Sequence, residues 1–219
     1  MPLVPSTKTV QNVLDAIKRL FGDESGAQLT DTDIIRWINE GQLEIARKTN
    51  YTATASTTPS VAGQEAYLFA GINILAIKTL SYNGYYVECK TFEQVQNSYL
   101  NTIGPSTIPT VLNTSMPIVW YEYDDSIYLW PPPTVAGDTI KLFYSTLPTV
   151  ITSAVDSLSI PDTHYRALLS WIMAQAYEMD DDLQSSQIRM NQHEKTLEEV
   201  NMVVQDKVYQ TITVLPEDL

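Results

Sequence analysis

Apolar residues recur at three- and four-residue steps at both ends of this chain and lose that period between residues 51 and 159. That spacing puts apolar side chains on one face of a helix, whereas a strand alternates them every second residue. A chain so ordered must bring its helical ends together or leave an apolar stripe on each in water. At one end Val10, Val13, Leu14, Ile17, Leu20 and Phe21 form a stripe, with Ser6 or Thr7 as candidate cap and Gly22 and Gly26 as breakers. A second helix opens at Thr30-Asp31 and carries Asp33 in its first turn, where a carboxylate suits the helix dipole. It presents Ile34, Ile35, Trp37, Ile38, Leu43, Ile45 and Ala46. Gly41 within it costs about 1 kcal/mol against Ala, which predicts a site where another backbone comes close.

At the other end Pro161 suits a first helical turn, and Asp162-Thr163 offers a cap. Tyr165, Leu168, Leu169, Ile172, Met173, Ala176 and Tyr177 follow as a stripe, with Trp171 on its shoulder. Trp37, Ile38, Tyr165, Leu168 and Trp171 are the expected core of this region. Asp180, Asp181 and Asp182 stand where carboxylates oppose the helix dipole, which predicts that they cap the next helix. That helix carries Ile188, Leu197, Val200, Val203 and Val204 among charges. Tyr209 to Leu219 contains Pro216 and no helical period, and reads as an extended tail.

The middle zone is dense in Thr, Tyr, Val, Ile, Gly and Pro. Strands are predicted at Tyr67 to Phe69 and Ile74 to Leu80, and Asn83-Gly84 joins Tyr82 to Tyr85 in a hairpin. Thr91 can cap a short helix. A second hairpin runs from Ile118 to Tyr123, turns at Asp124-Asp125, and returns from Ile127 to Trp130, where three prolines stop it. Thr139 to Ser145 is a last strand. The predicted fold is therefore α+β: a four-helix bundle formed by the N- and C-terminal segments, with an inserted antiparallel β-rich region and an extended C-terminal tail. Its expected parts are residues 1–50 plus 160–208 as a discontinuous helical bundle, 51–159 as the β insertion, and 209–219 as the tail.

Composition narrows function by exclusion. Twenty-six acids against thirteen bases leave a net charge of −13, too few cations for phosphate-driven nucleic-acid binding. The same acidity would suit a surface past which DNA slides. The start of the chain lacks the basic and apolar stretches of a secretory signal, and no run is long enough to span a membrane, so an intracellular origin is expected. Cys89 is alone and distant in sequence from His164 and His193, which leaves no thiol–imidazole pair or zinc cage in view. No phosphate loop, paired-histidine motif or nucleophile elbow is present. The expectation is no catalytic residues, no metal and no cofactor.

Aromatic density is the positive signal. Trp120, Tyr121, Tyr123, Tyr128 and Trp130 crowd one hairpin, and strand alternation places rings on both of its faces. Two readings stay open: a sheet covered on both faces, or an exposed half that serves as a subunit or tail interface.

Several stretches in order resemble the head-to-tail adaptor of tailed bacteriophages, a portal-docking connector family. They are the capped helix from Leu29 through Trp37 to Gln42, the step Gly63-Gln64-Glu65-Ala66-Tyr67-Leu68, and the strand Ile127-Tyr128-Leu129-Trp130 running into Pro131-Pro132-Pro133. Leu142-Phe143-Tyr144-Ser145 follows, then Ile160-Pro161-Asp162 opening a helix that ends near Asp180. The resemblance spans roughly residues 29 to 185. It implies a non-enzymatic virion protein of the neck between capsid and tail, assembled in the host cytoplasm. Its partners would be the portal protein, a tail tube or nozzle protein, and further copies of itself. The resemblance implies a ring of about twelve copies, with DNA passing through the lumen unread and no membrane involved. It also implies a portal-binding tail, which carries over only to Tyr209, Val214, Leu215, Pro216 and Leu219. The competing readings are a β-sandwich carbohydrate- or protein-binding module with the Trp120–Trp130 hairpin as its platform, and a cell-wall hydrolase using Glu122 or Asp124.

Overall fold

The computed structural model describes residues 7–69, 73–97, 116–124 and 126–212, with side chains as far as Met202. The chain forms two units, one from Met1–Thr52 with Leu147–Leu219 and one from Ala53–Thr146.

The first unit is helical. Helix α1, Val10–Phe21, is capped by Thr9 rather than Ser6 or Thr7; Thr9 and Asn12 exchange a capping box, and Gly22 closes the helix in the left-handed region. Thr7 instead binds the Asp162 carboxylate through its backbone N–H (3.2 Å) and hydroxyl (2.7 Å). Helix α2, Asp31–Thr49, is capped by Thr30 and ends at a left-handed Asn50. The loop between α1 and α2 turns about Asp23, whose carboxylate accepts from the backbone N–H of Ala27 (3.0 Å), Gln28 (2.7 Å) and Leu29 (2.8 Å) and from the Ser25 hydroxyl. These donors, that of Leu29 first, hold its carboxyl down at about 2.

Pro161 leads into a single 3₁₀ turn, Asp162–His164, before helix α4, Tyr165–Met179. The final helix, α5, runs Leu183–Ile212. Asp182 caps α5 by accepting from Ser185 N–H at 3.0 Å, which holds its carboxyl below the ordinary value. Helix α4 packs against α1, α2 and α5, and buries Ala167, Leu168, Ile172, Met173, Ala174 and Ala176. His193 of α5 is buried against it, with Nδ1 2.9 Å from Ala167 O.

Segment 147–160 crosses this unit without regular structure, so its polar backbone needs outside partners. Asn39 of α2 both accepts from Ile151 N–H (2.8 Å) and donates to Ile151 O (3.0 Å). The buried Gln42 amide oxygen accepts from Ser159 N–H (2.8 Å) and its hydroxyl (3.0 Å). Val10 and Gln11 N–H, left open at the start of α1, donate to Asp156 O and Ala154 O.

The second unit is a sheet of seven described strands: β1 Ala53–Pro59, β2 Ala66–Tyr67, β3 Ile74–Tyr82, β4 Tyr85–Cys89, β5 Val119–Tyr123, β6 Ser126–Trp130 and β7 Thr139–Thr146. Their order is β1-β7-β3-β4-β5-β6-β2. Every pairing is antiparallel except β4 with β5, which run parallel with Glu88 opposite Val119 and Cys89 opposite Trp120. Tyr67 of β2 and Tyr144 of β7 join one buried cluster with Leu80, Tyr82, Trp120, Leu129, Ile140 and Leu142, so the sheet curls into a half-barrel about that core. Helix α3, Phe92–Val95, is capped by Thr91 and covers the outer face of β5.

The expected architecture is thus corrected. A mixed half-barrel sheet replaces a small antiparallel insertion, and five helices are described rather than four, because α3 is a separate element of the β unit. The four longer helices gather about α4. The expected extended tail is also revised, since Tyr209–Ile212 continue α5.

At Gly41 the close neighbour is side chain, not backbone: an added Cβ would meet Leu168 Cδ1 and Trp171 Cδ1, each at 2.7 Å. Overpacking of this kind costs about 1–3 kcal/mol, against about 1 kcal/mol that Ala gains over Gly in a helix. Gly41→Ala should lower the unfolding free energy by up to about 2 kcal/mol in denaturant titrations.

Acid should destabilise the fold in two separable windows. Burial lowers the His164 imidazole to about 4, whereas an unfolded histidine titrates near 6.5. The unfolded state therefore binds the proton first, and this stability is lost as pH falls from about 6.5 to about 4. Asp23 contributes fully above the unfolded carboxylate value near 4 and loses its contribution as pH falls toward 2. The melting temperature of Asp23→Asn should lie below that of the parent at neutral pH, with the gap constant above pH ~5 and closing only toward pH ~2.

Candidate functional site

Strands β5 and β6 meet at a tight turn in which Asp124 adopts φ 49°, a conformation that Asp tolerates better than most residues. Their register sets Trp120 opposite Leu129, Tyr121 opposite Tyr128 and Val119 opposite Trp130. Alternation then sorts the rings. Trp120 enters the half-barrel core, while Tyr121, Tyr128 and Trp130 lie with Val119 and Val95 on the other face.

On that outer face four rings form a ladder. Tyr121 stacks on Tyr128 with centroids 5.1 Å apart and planes at 10°, and Tyr123 meets Tyr128 edge-on at 6.3 Å. Phe92 of α3 packs 5.7 Å from Tyr121 and 5.0 Å from Tyr123. Offset and edge contacts of this kind add about 0.5–1.5 kcal/mol each beyond area burial. Phe92 is held there by the α3 capping box, in which Gln94 N–H donates to Thr91 Oγ1 and Thr91 N–H to Gln94 Oε1.

The ladder is covered at one end and open at the other. Tyr121 is buried and Tyr128 and Trp130 are half-buried, whereas Tyr123 stays 53% exposed with Phe92 beside it. Burial pushes the Tyr121 hydroxyl up, with Glu65 and Tyr128 adding to the effect. β5 is thus covered on both faces over Val119–Tyr121, while the rings of Tyr123 and Phe92 remain exposed. Phe92 was not singled out in sequence, although Thr91-x-x-Gln94 is the signal that places it. Tyr85 and Tyr86, at 66% and 71% exposure beside the Asn83-Gly84 turn, were likewise passed over. Being adjacent on a strand, they face opposite ways, so both faces of this hairpin end are open.

A second feature of the β unit is a groove of about 400 Å³ lined by Tyr67, Leu68, Phe69, Ile77, Glu122 and Ile127. Glu122 is exposed there, and Asp124 is exposed at its turn; Asp125 lies outside the described residues. Cys89 is exposed, and partial burial of its sulfur, then Glu122 and Glu88, push its thiol up, opposite to the shift of an activated nucleophile. Among the described residues no three His, Cys, Asp or Glu side chains gather into a metal-binding group. None of the described helices is long and apolar enough to cross a membrane.

In the helical unit Trp37, Ile38 and Leu168 are buried, while Tyr165 and Trp171 are half-buried. Tyr165 donates its hydroxyl to Asn12 O at 3.4 Å, and Trp171 lies 5.4 Å from the His193 ring. Of the tail residues, Tyr209 falls in α5, and Val214, Leu215, Pro216 and Leu219 lie outside the described residues.

Compared with known proteins, residues 8–214 match the family model described as SU10 adaptor protein. No curated protein matches the chain.

The two ends of the ladder should differ in what they contribute to stability. Tyr121→Ala should cost about 2–4 kcal/mol in denaturant unfolding, because a buried ring and its stack are lost. Tyr123→Ala should cost less than about 1 kcal/mol, as an exposed ring gives up little on folding.

Proposed function

The chain belongs to the SU10 adaptor protein family, a phage head-to-tail adaptor family, and on that premise we propose that it forms a ring beneath the portal, joins it to the tail, and surrounds the DNA channel. Membership makes it a structural component of a virion that works with other phage head and tail proteins. The match over residues 8–214 is the observation that carries the reading, because it takes in both units rather than one shared motif.

The resemblance to the family supplies the number of about twelve copies, and a closed ring is physically open to such a chain. A heterologous contact closes on itself when its rotation permits, and it needs two different patches on each copy. The open end of the ladder, Tyr123 with Phe92, is one apolar patch that packing inside the copy leaves exposed. Net charge −13 per copy opposes association away from a template. Ring closure would then wait for the portal, and an acidic lumen would let DNA pass without sticking. The role requires no catalysis.

The carbohydrate reading loses its platform. Trp120 is buried in the half-barrel core and Trp130 is half-buried, so the two rings that would stack on sugar are engaged within the protein. The hydrolase reading is left with two exposed carboxylates on one hairpin, Glu122 and Asp124, of which only Glu122 borders the groove beside Tyr67 and Ile127.

Negative-stain imaging of the protein mixed with the portal from the same genome tests the proposal. A second ring stacked coaxially on the portal is expected, together with its loss or weakening in Tyr123→Ala. Bare portals beside free monomers at concentrations well above micromolar would overturn it.

A further inference from the structure

In a chain with twice as many acids as bases, one groove gathers three cations against a single carboxylate, Glu199. The groove, of about 360 Å³, lies among the end of α1, helix α4 and helix α5. Leu20, Leu169 and Met173 give it an apolar floor, and Arg166, Arg189 and Lys195 rim it. Elsewhere Lys18, Arg36, Lys48 and Lys90 each reach a carboxylate. Among the described residues Arg166 and Lys195 have no ion pair, and Arg189 donates only to Gln192 Oε1 at 3.1 Å. Glu199 stands on the same rim without closing on any of them. Leu20 is 55% exposed, so the floor is open as well. An apolar floor with three unpaired cations and one carboxylate on its rim suits a peptide that carries both apolar residues and carboxylates.

This chain carries such a peptide. Thr213–Leu219 sets Val214, Leu215 and Pro216 directly before Glu217 and Asp218. It cannot serve its own groove. Helix α5 puts Ile212 about 26 Å along the helix axis beyond Lys195, while the chain from Ile212 to Asp218 spans at most about 21 Å even if it doubles straight back. A second copy is free of that limit. Resting on the ring reading above, we propose that this groove receives Thr213–Leu219 of a neighbouring copy, with Val214 and Leu215 on the apolar floor and Glu217 and Asp218 against Arg166, Arg189 and Lys195. The contact is heterologous, groove to tail, which is the kind that closes a ring. Weak in isolation, it becomes effective once a template holds neighbours at millimolar local concentration. It also sets opposite charges across a seam between copies that otherwise repel.

The test is fluorescence anisotropy of a labelled synthetic peptide spanning Thr213–Leu219, titrated with the full chain at low salt, about 50 mM. Saturable binding with Kd on the order of 100 µM is expected. Replacing Glu217 and Asp218 of the peptide by Gln should weaken it at least about tenfold with the protein unaltered. Arg166→Glu with Lys195→Glu in the protein should do the same, with circular dichroism reporting the fold. No saturation up to about 1 mM, or equal binding by the neutral peptide, would overturn the proposal. Portal imaging reads the ring independently, so a ring that forms while the peptide fails to bind removes this contact alone.

Discussion

At Gly41 helices α2 and α4 approach so closely that a hydrogen is all the room α2 has, with Leu168 and Trp171 filling the space a methyl would need. The helical unit is assembled across this contact from two pieces of chain that the whole β unit separates. Long-range closure is entropically expensive and is repaid only when both faces are buried together. Close approach is how Trp37 and Ile38 of α2 lose water in the same event as Leu168 and Ile172 of α4. The buried amides of Asn39 and Gln42 then hold segment 147–160, which leads the chain back from the sheet into the second helical piece. Repacking α4 would withdraw support from α1, α2 and α5 at once, because all three lean on it.

The β unit uses another economy. Its half-barrel has a single large core, and alternation along β5 would leave the outer ring of every pair in water. Four residues of helix are enough to cover most of that face, because their Val95 and Phe92 reach the very positions that the strands expose. What escapes cover is the end of the ladder at the hairpin turn. Rings there cost the fold little, because Tyr123 and Phe92 give up only part of their water on folding.

Local chemistry was legible along the chain, and long-range pairing was not. The caps at Thr30 and Thr91, the Asn83-Gly84 turn and the Asp182 cap are decided within a few residues, so sequence spacing exposes them. Strand β1 escaped notice because Ala-Thr-Ala-Ser-Thr-Thr-Pro has no apolar alternation; it exists by pairing with β7 and not by burying a face. The parallel pairing of β4 with β5 depends on a crossover through α3, and nothing in either strand declares its direction. That is why a mixed half-barrel read as a small antiparallel insertion. Gly41 shows in sequence that room is needed and not that the side chains of Leu168 and Trp171 fill it. The basic groove was invisible for the same reason: Arg166, Arg189 and Lys195 lie on two helices and meet only when those helices pack.

Helix α5 has twice the residues of α4, so about half of its roughly 45 Å runs past the partner that anchors it. It is therefore a lever. A tilt of ten degrees at the Asp180–Asp182 corner would carry the Ile212 end by about 8 Å on that length, while the buried contact of His193 with Ala167 near the fulcrum shifts by a fraction as much. Small adjustments in how the two helices seat are thus magnified at the end that leads into the last residues of the chain.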